Sequence, residues 1–89
     1  MRSRTTRRFR EAFASLPNDI RERARKAFRV WKKNPFHPSL KFKIIHAEEN
    51  IYSVRISLGW RALGTRTGGV ITWFWIGSHA EYDQLVSKL

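Results

Sequence analysis

The strongest constraint on this chain is a change of hydrophobic period at Asn34-Pro35-Phe36-His37-Pro38-Ser39-Leu40. Before it, apolar residues recur at helical spacing; after it, they alternate as in strands. Each proline removes a backbone donor and restricts the residue before it, so no helix crosses this segment. The chain must build a helical part and then a sheet.

On the helical side, Thr5 or Thr6 can cap a first helix whose Phe9, Ala12, Phe13 and Leu16 share one face. Pro17 and Asn18 interrupt it. A second helix from Asn18 or Asp19 carries Ile20, Ala24, Ala27, Phe28 and Trp31 on one stripe, with Asp19 and Glu22 early and Lys32 and Lys33 late, as the helix dipole favours. The two form a helical hairpin. On the sheet side, the pattern predicts strands over Lys41–Ile45, Ile51–Leu58, Trp60–Thr67 and Val70–Ile76. Tyr52, Val54, Ile56 and Leu58 are expected on one face of the second strand, and Ser53, Arg55 and Ser57 on the other. Gly68-Gly69 is a two-residue hairpin signal. The last strand is apolar on both faces, as a central strand should be. Ser78-His79-Ala80-Glu81 is a capping box opening a short helix through Val86. The expected fold is α+β, in the order α-α-β-β-β-β-α: an antiparallel sheet with the helical hairpin on one face and a short C-terminal helix.

At 89 residues there is room for one core, so a single domain over residues 1–89 is expected, with a radius of gyration of roughly 12 Å. No cysteine is present, which excludes a disulfide framework and a thiolate nucleophile. No run approaches the roughly 18 apolar residues of a membrane span, and Met1-Arg2-Ser3-Arg4 has no apolar stretch behind it to act as a signal. A cytoplasmic protein with no membrane partner is expected.

Charge narrows the partner. The net charge is +11, and it is uneven: residues 1–34 hold 12 basic and 3 acidic side chains, whereas residues 35–89 hold 6 and 4. Such a surplus favours phosphate backbones and acidic proteins. Arg21, Arg25, Arg29 and Lys32 form a stripe along the second helix that can track phosphates without reading sequence.

A few residues could carry chemistry. His79 falls in the first turn of the last helix, where free amides and the dipole favour an anion and a neutral imidazole able to act as a base. Arg55 and Arg61 flank the Gly59 turn, and the planar guanidinium suits a phosphate on which charge develops. Arg55 could equally pair with Glu48 or Glu49. Trp60, Trp73 and Trp75 are expected mostly in the core, leaving Tyr82 as the aromatic best placed to stack on a base. His37, His46 and His79 are too far apart in sequence to suggest a metal site, and no phosphate-binding glycine loop or nucleophile elbow is present.

At Tyr52-Ser53-Val54-Arg55, Gly59-Trp60-Arg61-Ala62-Leu63 and Trp75-Ile76-Gly77-Ser78-His79 the chain resembles the RelE/ParE superfamily of bacterial toxins. The resemblance runs from the first helix to Leu89. It implies a toxin of a type II toxin–antitoxin system, held inactive by a cognate, acidic antitoxin, with operator DNA met only through that antitoxin. For the RelE-like branch it implies cleavage of mRNA in the ribosomal A site without metal or cofactor, by attack of a ribose 2′-OH on the adjacent phosphate. Arg61 then matches the arginine that stabilises the transition state, His79 the general base or acid, and Tyr82 a stacking or proton-transferring aromatic. Two lysines of some members are replaced around Ile51 and Ser53, so their role would fall to Lys41, Lys43 or Arg55. The ParE-like branch poisons DNA gyrase by binding and needs no catalytic histidine; a catalytically decayed toxin fold is the third possibility.

Overall fold

The computed structural model describes residues 1–89. Its elements are β1 (Arg2–Thr5), α1 (Arg7–Ala14), α2 (Asn18–Lys33), a single 3₁₀ turn at Pro38–Leu40, β2 (Lys43–His46), β3 (Ile51–Ser57), β4 (Trp60–Thr67), β5 (Val70–Ser78) and α3 (His79–Val86). The five strands form one sheet in the order β1-β5-β4-β3-β2. Both helices of the hairpin pack on one face, and α3 lies against β4 and β5 on the other side. The radius of gyration is 12.0 Å, as the length requires.

The helical half forms as its periodicity dictates. Thr6 caps α1, its side chain accepting from the Phe9 amide at 3.1 Å. Ile20, Ala24, Ala27 and Trp31 are the buried stripe of α2. Pro38 opens the 3₁₀ turn, and because Lys41 caps it, β2 begins at Lys43, two residues later than expected, and runs to His46. Lys41 leaves that turn in the left-handed region, φ 45°.

The sheet departs from expectation at its N-terminal edge. Residues 2–5 form β1, which pairs in parallel with β5 and makes the sheet mixed. Arg2-Ser3-Arg4-Thr5 carries no apolar alternation, and all four residues are exposed. The strand is recruited because β5 otherwise has an open edge: the Arg2 amide donates to the Gly69 carbonyl at 2.9 Å, and the Thr6 amide to the Trp73 carbonyl at 3.0 Å. Two arginines on this edge also discourage pairing with another chain. With β1 in place, β5 is internal, as its apolar faces implied.

Leu58 was expected to share a face with Tyr52, Val54 and Ile56 and is instead 78% exposed. A register irregularity follows Arg55, and β3 ends at Ser57, leaving Leu58 in the turn. Tyr52, Val54 and Ile56 do join the core.

A bulge in β5 decides where the tryptophans go. Leu63 pairs with Trp75 and the next residue, Gly64, with Trp73, so Phe74 is the extra residue on β5. Without it Trp73 and Trp75 would share a face; with it they point to opposite faces. Trp73 enters the core, 5.5 Å from the Trp31 ring, 5.3 Å from Phe28 and 6.3 Å from Phe42. Opposite it, Gly64 has no room for a side chain: a Cβ there would lie 2.8 Å from both Ile71 Cγ1 and Trp73 Cε3. Gly64→Ala is therefore expected to destabilise the fold by about 1–3 kcal/mol, read as a lower urea midpoint with an unchanged slope.

Candidate functional site

The site grows from the turn between β3 and β4. Arg61 Nη1 donates back to the carbonyls of Ser57 at 2.9 Å and Trp60 at 3.0 Å. That fixes one end of the guanidinium and leaves its Nε–Nη2 edge without a protein partner. The His79 amide donates to the Gly59 carbonyl at 2.8 Å. One turn thus anchors both Arg61 and the start of α3.

Arg55 stands directly opposite Arg61 on the neighbouring strand. Like charges in this relation are unfavourable. Arg55 makes no ion pair with Glu48 or Glu49, so the structural alternative expected for it is not realised. Burial, followed by the Arg55 charge, holds Arg61 below its ordinary value, with Tyr82 and Asp83 acting in the opposite direction.

α3 supplies the other groups. His79 Nε2 lies 3.3 Å from Asp83 Oδ2, one helical turn on. A carboxylate at Nε2 can hold that nitrogen's proton and leave Nδ1 as the acceptor. The Tyr82 ring lies 5.9 Å from His79, and its hydroxyl points down to Ser53 Oγ, 3.4 Å away. Ser53 is only 2% exposed. Tyr82 is thus turned towards the sheet, which places its hydroxyl in the site and takes it away from the free stacking position expected. Lys43 is the β2 partner of Ser53 and continues the same row at the sheet edge; Lys41 lies in the preceding turn.

The N-terminus of α3 was expected to offer amides to a bound anion, but the chain fills that place itself. Glu81 Oε1 accepts from the Ser78 amide at 3.1 Å and its hydroxyl at 2.9 Å, while the Glu81 amide donates to Ser78 Oγ at 3.2 Å. With the His79 amide also taken, the cationic part of the site is the arginine pair.

The expected stripe on α2 is divided. Arg21 donates to the Ala14 carbonyl at 2.8 Å and to Asn18, tying α1 to α2. Arg25 pairs with Glu22 and lies over the Phe13 ring. Arg25, Arg29 and Lys32 border a groove of about 640 Å³ between β1 and the helical hairpin, floored by Phe9, Phe28 and Trp73. Neither Arg55 nor Arg61 lines that groove. Arg23 and Lys26, outside the expected stripe, line a cleft beside β3 together with Arg55; their helical spacing from Ala27 and Val30 is the signal in the sequence that places them there. No three His, Cys, Asp or Glu side chains come together: His37 is bonded to Ser39, and His46 to the Glu49 amide. No helix is long and apolar enough to cross a membrane.

The capping box is expected to make α3 pH-sensitive. Hydrogen bonds from the Ser78 amide and hydroxyl hold the Glu81 carboxyl below the ordinary glutamate value, which is about 4.3. A depressed carboxylate contributes stability above its unfolded value and loses it as pH falls through the folded one. Amides of α3 are therefore expected to lose hydrogen-exchange protection below about pH 4, before those of β4 and β5. Ser78→Ala should remove about 1 kcal/mol at neutral pH, measured as a lower melting temperature with local loss of protection in α3.

Residues 18–84, from the first residue of α2 into α3, match the model of the ParE-like toxin domain. No curated protein matches the chain. Among solved structures, the fold resembles that of the RelB–RelE antitoxin–toxin complex from Methanococcus jannaschii, with a TM-score of 0.73, 16% identity, and 92% of this chain and 96% of that one covered. The YoeB/ParE toxin from Agrobacterium tumefaciens superposes with a TM-score of 0.69 at 16% identity, covering 89% and 99%. The intact RelBE toxin–antitoxin complex of E. coli gives 0.63 at 16%, covering 85% and 93%. At these identities the superpositions establish the fold, and the family match over most of the length establishes the kinship: the chain belongs to the family of ParE-like toxin domains.

Proposed function

We propose that this protein is the toxin of a toxin–antitoxin pair and that it cleaves mRNA on the ribosome, in the cytoplasm, without a cofactor. The observation that carries this reading is the arginine pair. Arg55 and Arg61 face each other across β3 and β4 with no carboxylate bound between them. Two opposed cations with one free guanidinium edge suit a bridging phosphate, most of all one gaining charge in a phosphorane.

The remaining groups suit the same reaction. His79 Nδ1 takes the proton of the ribose 2′-OH, with Asp83 orienting the ring through Nε2. The 2′-oxygen forms a bond to phosphorus, and Arg61 with Arg55 stabilises the added charge. The bond to the 5′-oxygen then breaks, and that oxygen takes up a proton from the Tyr82 hydroxyl or water. The products are a 2′,3′-cyclic phosphate and a 5′-hydroxyl. The antitoxin is an acidic protein, drawn by the surplus of positive charge on residues 1–34; two of the similar structures are antitoxin–toxin complexes.

A second reading is a gyrase poison acting by binding alone. It is favoured by the family match itself and by Glu81 and Asp83, which place negative charge beside any RNA.

In a translating extract, the wild-type protein is expected to produce codon-phased mRNA cuts. Arg61→Ala should slow them by about 10²–10³-fold, and His79→Ala by about 10²–10⁴-fold, with melting temperatures little changed because both side chains are partly exposed. Intact mRNA together with trapped gyrase–DNA complexes would establish the second reading instead.

A further inference from the structure

β2 covers β3 only as far as the Lys43–Ser53 pair. Beyond it, the edge of β3 from Arg55 to Ser57 has no strand partner, and α2 passes alongside. The space between them is a cleft of about 620 Å³, closed at one end by the 3₁₀ turn. Its floor is Val30, Leu40 and Ile56, and its rim carries Arg23, Lys26 and Arg55.

Three features bear on what this cleft can hold. No acidic side chain lines it. None of its three cations makes a side-chain hydrogen bond or ion pair, whereas Arg7, Arg10, Arg21 and Arg25 are all engaged. Glu22, beside Arg23 in sequence, is already paired with Arg25. Unpaired cations around an apolar floor focus their field on whatever enters. Leu58, also on the lining and 78% exposed, adds an apolar surface at the mouth.

Arg55 belongs to this cleft and also stands opposite Arg61. The cleft therefore opens from the candidate site around the sheet edge to α2. We propose that it is a phosphate subsite for the RNA strand leading away from the Arg61–His79 centre, with Arg23 and Lys26 on backbone phosphates and Leu58 against a sugar or base. This rests on the nuclease reading. The absence of an aromatic in the lining fits a contact that holds the backbone and does not select the base.

The test uses the full chain and a fluorescein-labelled, unstructured 2′-O-methyl RNA, which lacks the attacking hydroxyl. Anisotropy is followed across a KCl series for wild type, for Arg23→Gln/Lys26→Gln, and for Arg2→Gln/Arg4→Gln, which removes the same charge from the opposite sheet edge. The cleft variant is expected to lose about 1.4 from the slope of log K against log salt, about 0.7 for each phosphate contact, with little loss in the β1 variant. Melting curves should superpose. Equal weakening in both variants would overturn the subsite as diffuse attraction, while leaving wild-type mRNA cleavage and the nuclease reading intact. Loss of affinity for a glutamate-rich peptide, with RNA binding unchanged, would assign the cleft to a protein partner and also overturn it. Absence of both RNA binding and mRNA cleavage in the wild type would reject the nuclease reading and the subsite together.

Discussion

Trp73 is held between the two halves of the molecule, and most of the remaining geometry follows from its position. It is 2% exposed and meets Trp31 and Phe28 of α2 and Phe42 ahead of β2. Burying a ring of this size removes roughly 200 Å² from water, worth about 5 kcal/mol at the usual coefficient. The Nε1 groups of Trp31 and Trp73 are buried without an acceptor, at a cost of about 1–3 kcal/mol each. Ring burial and the edge-on packing of the two indoles, 5.5 Å apart at 76°, offset that cost. Seating Trp73 against the helices requires Gly64 beneath it and the Phe74 bulge beside it. The bulge turns Trp75 to the opposite face, where its ring lies over Gly77, the strand partner of Arg61. The core and the candidate site are therefore set by the same irregularity in β5.

Charge is arranged in tension with that scaffold. Two arginines face each other at the site, and α3, which carries Glu81 in its first turn, brings Asp83 near Arg61. Glu81 serves the helix it begins, since the capping box holds both of its roles within the chain. Asp83 serves His79. What stays open is the Nε–Nη2 edge of Arg61, the Arg55 guanidinium and the cations of the neighbouring cleft. Net charge alone points only to the kind of partner; the free donors mark the place.

Features governed by local rules were legible in the sequence. The stripe of α2, the Gly68-Gly69 hairpin and the Ser78–Glu81 capping box appear where periodicity and cap chemistry put them. β1 was not legible, because its four polar residues carry no pattern and their pairing is dictated by the open edge of β5. Leu58 was misplaced because a register irregularity cannot be seen in a period-two pattern. The same limit hid the separation of Trp73 from Trp75. For the site, the sequence and its resemblance pointed to Arg55, Arg61, His79 and Tyr82, and these do converge on the β3–β4 turn and α3. The α2 stripe did not join them, because basic residues on several sides of a helix cannot be assigned to a surface until its packing is known. Arg23 and Lys26, by contrast, are placed beside β3 by their helical spacing from Ala27 and Val30.

The proposed reaction is phosphoryl transfer to a neighbouring 2′-oxygen, carried out by the opposed arginines and the oriented histidine of the candidate site. Mass spectrometry of the termini of mRNA fragments from a translating extract tests it most directly. That reaction leaves a 2′,3′-cyclic phosphate on the upstream fragment and a 5′-hydroxyl on the downstream one. Fragments ending in a 3′-hydroxyl and a 5′-phosphate, or no fragments at all, would contradict it.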